Sequence, residues 1–219
     1  MGDISDDDDV PTLSAGTLKA LQEFYKEQEE KESQLNQTNE NGVAKPNEIV
    51  FNEDWQLSQF WYDSNTVETL VRGIVKSVEP NGKIALVSCP TLYKRLKEEA
   101  VNCEIKLFEY DKRFSVFGND FHLYDYKSPL DIDKSLSSYF DLVVADPPFL
   151  SEECLTKTAI TMKYLTKQNV VLCTGAVMAE LAQRLLHLKK CEFEPKHQNN
   201  LANEFWCFSN FDFDAMLKS

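Results

Sequence analysis

Phe140-Asp141-Leu142-Val143-Val144-Ala145-Asp146-Pro147-Pro148-Phe149 is the stretch that decides how this chain folds. Leu142 to Ala145 is short, apolar and without polar alternation, the pattern of a strand buried on both faces of a parallel sheet. An acid and two prolines follow at once. Proline cannot donate to a ladder and drives the preceding residue out of helix, so the strand has to stop at Asp146. In an open α/β sheet, ligands bind at the carboxyl ends of central strands. This corner is rich in acceptors, namely the Asp146 carboxylate and the carbonyls of Pro147 and Pro148, while neither proline offers an N–H. It suits a donor such as an amine, whose stem Phe149 can cover and whose positive charge the ring face can attract. The plainer alternative is a strand closed by a rigid turn.

Outward from this strand, apolar runs and amphipathic stretches alternate. Ile84-Ala85-Leu86-Val87 reads as a buried strand entered from the turn Pro80-Asn81-Gly82. A helix is expected over Thr91–Ala100, then strands over Glu104–Tyr110 and Phe121–Tyr124. After the central strand come a helix from Ser151 to Leu165, a strand Val170–Cys173 closed by Gly175, and a helix over Val177–Leu188. Two strand candidates, Cys191–Glu194 and Phe205–Phe208, close the chain as an antiparallel hairpin. Upstream, Val67, Leu70, Val71, Ile74 and Val75 share one face of a helix beginning near Asn65. Such alternation implies an α/β fold with a mostly parallel sheet, right-handed crossovers and helices on both faces.

The chain has 219 residues and a formal net charge of −13. Residues 1–40 hold 11 of the 36 acids and 3 of the 23 bases. Residues 1–12 read as a disordered acidic tail, 13–32 as an N-terminal helix and 33–48 as a polar linker, leaving 49–219 for the main domain. The acidic balance and the lack of a basic stripe favour a basic protein partner over nucleic acid. No apolar run is long enough to span a membrane, and no secretory leader is visible. The six cysteines contain no Cys-x-x-Cys pair and sit largely in apolar runs, so neither zinc nor a disulfide framework is expected and a reducing, intracellular compartment is; the chain is expected to be a monomer. Trp55 to Tyr62 is dense in aromatics. Most of these suit a core, although Trp61 and Tyr62 can also wall an amine pocket. His122, His187 and His197 do not cluster and read as surface or packing residues.

Asp146-Pro147-Pro148-Phe149 resembles the Asp/Asn-Pro-Pro-aromatic motif of S-adenosylmethionine-dependent amino-group methyltransferases. The strand plan resembles their seven-strand Rossmann-like fold. More closely, nearly the whole chain outside the acidic tail and linker resembles the lysine methyltransferases of translation elongation factor 1-alpha, a family once described as N6-adenine DNA methyltransferase-like. Leu18–Tyr25, Trp55–Tyr62, Phe108–Phe114, Asp146–Cys154 and Asn200–Phe205 carry the resemblance. It implies S-adenosyl-L-methionine as cofactor, with Glu109 at the end of the second strand on the ribose and Asp125 near the adenine amino group. Asp111 reads as a solvated strand end. Ser88, with the helix start behind it, would meet the cofactor's carboxylate, and Asp146 would face its methyl. Asp146, Pro147 and Phe149 would carry catalysis. Pro148, Phe149, Trp61, Tyr62 and Asn203 would line the substrate side, with Glu204 and Phe205 beside Asn203 at its entrance, and no metal is called for. One departure stands out: Ser88-Cys89-Pro90-Thr91-Leu92-Tyr93 has no glycine where the family's first loop is Gly-rich, which also makes an NAD enzyme a poor reading. An N6-adenine nucleic-acid methyltransferase and an inactive binding module remain as alternatives.

Overall fold

The computed structural model describes residues 51–54, 57, 59–199, 201 and 203–218. The tail, helix and linker read for 1–48 lie outside the described residues. Seven strands form one sheet: β1 (Lys83–Val87), β2 (Glu104–Glu109), β3 (Phe121–Leu123), β4 (Phe140–Ala145), β5 (Thr166–Gly175), β6 (Lys189–Lys190) and β7 (Phe205–Ser209). Their order is β3-β2-β1-β4-β5-β7-β6. The first five are parallel, whereas β7 runs antiparallel to both β5 and β6. The chain steps outward from β1 to β3 and then crosses back to β4 on the other side of β1. This reversal opens a crevice beyond the carboxyl ends of β1 and β4, where Val87 pairs with Phe108 on one side and Ala145 on the other.

Period-two alternation places these strands between two apolar layers. Ile84, Leu86, Leu142 and Val144 join Leu70, Ile74, Leu96 and Phe213 in one layer. Ala85, Val87, Val143 and Ala145 join Leu155, Met162, Ala182 and Leu186 in the other. The first layer is roofed by α1 (Ser64–Lys76), α2 (Tyr93–Glu99) and, at the chain's end, α5 (Phe213–Lys218); the second by α3 (Glu152–Leu165) and α4 (Ala179–Leu186). The Asp63 carboxylate caps α1 through the Thr66 N–H at 2.7 Å, and the Ser151 hydroxyl caps α3 through the Cys154 N–H.

Four local expectations need revision. Strand β5 begins at Thr166 rather than Val170, because its first turn is polar and half-exposed while still laddered to β4. Strand β6 is Lys189–Lys190 rather than Cys191–Glu194, because the Glu192 N–H is drawn to the Asp214 carboxylate of α5 at 3.0 Å. The helices expected from Thr91 and Val177 each open with a 3₁₀ turn, and α4 stops at Leu186 because His187 adopts the left-handed region (φ 55°). Helix α5 carried no signal strong enough to be read. No helix among the described residues is long and apolar enough to cross a membrane, and no group of metal-competent side chains gathers there.

Candidate active site

The crevice at the strand reversal contains a cavity of about 550 Å³. All ten side chains singled out from the sequence line it: Trp61, Tyr62, Ser88, Glu109, Asp125, Asp146, Pro147, Pro148, Phe149 and Asn203. They come from the chain before α1, the ends of β1 to β4, and the loop before β7. Sheet register brings the seven from β1 to β4 together, since each of these parallel strands delivers its carboxyl end to the same edge.

Asp146 sits at the centre. Its N–H donates to the Val87 carbonyl at 3.0 Å, extending the ladder one residue past β4 and fixing the corner against β1. Its Oδ2 accepts from the Tyr62 hydroxyl at 2.5 Å. Oδ1 has no hydrogen-bond partner among the described residues. Phe149 is 41% exposed and meets the Tyr126 ring edge-on at 5.8 Å. Leu150 lies so close to Gly175 that a Cβ there would come within 2.8 Å of its methyls. The bare backbone at the end of β5 therefore lets the corner pack down.

On the β1–β2 side the first loop turns without glycine. Ser88 itself takes φ 55°, the region glycine usually supplies, and its N–H donates to the Phe108 carbonyl at 2.9 Å. Glu109 is buried, with one carboxylate oxygen accepting the N–H groups of Tyr110 and Asp111 at 2.9 and 3.1 Å. Asp125 accepts from the Lys127 N–H at 2.9 Å, which fixes its turn after β3. Asp111 departs from its reading as a solvated strand end. It is 5% exposed, pairs with Arg113 at 2.6 Å and accepts from the Gln59 amide at 3.0 Å. Arg113 also donates to the Gln59 carbonyl oxygen, so this buried knot ties the segment before α1 to the end of β2.

The aromatic segment divides between wall and core. Tyr62 is almost fully buried. Trp61 packs edge-on against Phe114 at 6.3 Å within the first apolar layer. Trp55 lies outside the described residues. Phe205, expected beside Asn203 at the substrate entrance, lines the cavity, and so do His197 and Tyr126, which nothing in the sequence singled out as site residues. The imidazole of His197 lies 5.2 Å from the Tyr62 ring and 4.5 Å from that of Phe205. Tyr62 and His197 form an antiparallel bridge 135 positions apart in sequence, a pairing with no local signature.

Burial and mutual repulsion shape the charge in this cavity. Desolvation, with Glu109 nearby, raises the Asp146 carboxyl to about 7 despite the opposing hydrogen bond from Tyr62. Burial likewise raises Glu109 to about 7, with Asp111 adding to the rise and the backbone N–H groups opposing it. The Tyr62 phenol is driven well above its ordinary range by burial and by Asp146, so it stays a donor. Burial lowers His197, which keeps its ring neutral near neutral pH. Two half-titrated carboxyls facing one cavity favour a cationic guest, whose arrival would hold both ionised.

Residues 53–213 match the family described as "Probable N6-adenine methyltransferase". The chain is 48% identical to EEF1A lysine methyltransferase 1 of Mus musculus, with 95% of each chain covered. It is 44% identical to protein-lysine N-methyltransferase M142.8 of Caenorhabditis elegans, covering 95% of this chain and 97% of that one. Among solved structures, its fold is similar to that of the branched-chain polyamine synthase from Thermus thermophilus. That match has a TM-score of 0.52 at 10% identity, over 73% of this chain and 59% of that one, and is a likeness of fold alone.

Proposed function

Because this chain belongs to the family described as probable N6-adenine methyltransferases, and its relatives from Mus musculus and Caenorhabditis elegans are named as lysine methyltransferases, we propose that it transfers a methyl group from S-adenosylmethionine to a lysine ε-amine of translation elongation factor 1-alpha, in the cytoplasm. The observation that supports the site assignment is the Asp146 carboxylate, which lines the cavity at the carboxyl end of β4 with its Oδ1 unpaired among the described residues, while the cavity's other acids stand at the ends of β2 and β3.

The residues fit a cationic nucleoside cofactor. Glu109 would accept from the ribose hydroxyls and Asp125 from the adenine's exocyclic amine, and Ser88 with the turn behind it would hold the amino-acid moiety. When bound, that cofactor supplies an activated methyl on a sulfonium, so the chain itself needs no covalent nucleophile. What the protein does is hold the acceptor amine. A free lysine has a pKa of about 10.4 and arrives protonated. Burial in the cavity lowers that value while Asp146 raises it. The proton leaves to water as the amine enters. Asp146 Oδ1 and the Pro147 carbonyl then accept the remaining hydrogens and aim the lone pair, and Phe149 with Pro148 covers the aliphatic stem. Orientation of this kind supplies most of the acceleration.

Asp146→Ala tests this reading. Labelled methyl incorporation into elongation factor 1-alpha should be abolished while cofactor affinity, measured by calorimetry, stays within a few-fold. Wild-type turnover by the variant would remove Asp146 from the site. The family's adenine description favours a second reading, in which the same corner grips an aromatic amine. The excess of acid over base weighs against a phosphate-rich substrate. Label appearing in DNA rather than in protein would reverse that judgement.

A further inference from the structure

We propose that Tyr62 is the positioning residue of this site: its hydroxyl holds Asp146 Oδ2 so that only Oδ1 meets the incoming amine. The inference deepens the methyl-transfer reading above and rests on it. A carboxylate at a strand end can rotate about its terminal torsion and offer either oxygen. Here the two oxygens are made unequal by one donor, the Tyr62 O–H at 2.5 Å. That donor is 2% exposed.

Tyr62 is itself held from both directions. Its backbone bridges His197. The flanking Asp63 N–H donates to the Lys196 carbonyl at 2.9 Å, and the Gln198 N–H to the Trp61 carbonyl at 2.8 Å. One residue on, Asp63 caps α1, so the phenol is referenced to a helix packed on the sheet that carries Asp146. The titratable groups near this pair are Glu109 from β2, Cys89 from the loop after β1, Cys173 from β5 and His197 from the segment before β7, whose ring lies 5.2 Å from that of Tyr62. None of them makes a hydrogen bond to Asp146 among the described residues. Tyr62 therefore acts through Asp146, as an orienting group with no contact of its own to the reacting nitrogen.

Tyr62→Phe keeps the ring and the bridge and deletes only the donor. The expected result is a fall in kcat of roughly 10- to 100-fold, with the KM for elongation factor 1-alpha and the cofactor Kd each within about three-fold. In carbon-13 NMR of labelled aspartate carboxyls, the Asp146 midpoint should move up, because the group that favoured its charged form is gone. 3-Fluorotyrosine placed at position 62 retains a hydroxyl and should restore turnover. The proposal is overturned if Tyr62→Phe keeps wild-type kcat with an unmoved Asp146 titration. It is overturned equally if kcat, KM and Kd all worsen together with loss of the folded near-ultraviolet signal, which marks a merely structural role. The carboxyl titration needs no substrate. A wild-type protein that methylates no elongation factor therefore defeats the functional reading and leaves the Tyr62–Asp146 link separately decided.

Discussion

At the scale of single residues, the site is a contest between burial and charge. Glu109 and Asp146 both titrate at about 7, well above a carboxyl in the unfolded chain. The folded state thus holds these protons more tightly than the unfolded one. The stability they contribute is full below the ordinary carboxylate range and is lost as pH rises through about 7. Glu109→Gln removes one of these groups. The variant should lose less stability than wild type between pH 5 and pH 8, by an amount on the order of a few kcal/mol, as read by urea denaturation at several pH values. The same change takes a negative neighbour from Asp146, so the Asp146 midpoint should fall. An unaltered pH slope would mean that Glu109 is better solvated than its 6% exposure implies.

At the scale of elements, close backbone approach sets how the helices sit. Gly73 of α1 faces α5, where an added Cβ would lie 2.5 Å from Leu217 and 2.7 Å from the Phe213 ring. Alanine gains about 1 kcal/mol of helix propensity, but overpacking against a ring that is 1% exposed costs about 1–3 kcal/mol. Gly73→Ala should therefore lower the melting temperature by a few degrees, measured by calorimetry, with kcat little changed because α5 contributes nothing to the cavity lining. Asp63→Ala should behave differently. Loss of the cap costs about 1 kcal/mol, yet the cap adjoins Tyr62, so activity should drop by more than that loss of stability explains. Equal losses in the two measurements would detach α1 from the positioning of Asp146.

At the scale of the whole molecule, the chain carries 36 acids against 23 bases. A partner recognised through that field should bind more weakly as salt screens it, over a Debye length of about 10 Å at 0.1 M. The KM for elongation factor 1-alpha should rise several-fold between 50 and 300 mM salt while saturated turnover changes little. A flat KM would make the acidic surface a matter of solubility alone. The same scale explains what could be read in advance. Strand alternation and the stop at Asp146 were legible because they follow from covalent facts and local periodicity: proline has no N–H, and a strand shows alternate faces. The choice of Glu109 and Asp125 among the acids after β2 and β3 rests instead on the family resemblance. Asp111 was misjudged because its partners Arg113 and Gln59 come from a turn and from a segment 52 residues upstream. His197 was passed over because its neighbours, Tyr62 and Phe205, belong to other parts of the chain.

The amino-acid order by itself determined that the fourth strand stops at Asp146 and that an acceptor-rich corner follows it, because backbone chemistry acts between adjacent residues. Only the tertiary structure decided which oxygen of Asp146 is taken and which is free. That choice depends on a phenol 84 positions away, and a hydrogen bond is set by distance in space rather than along the chain.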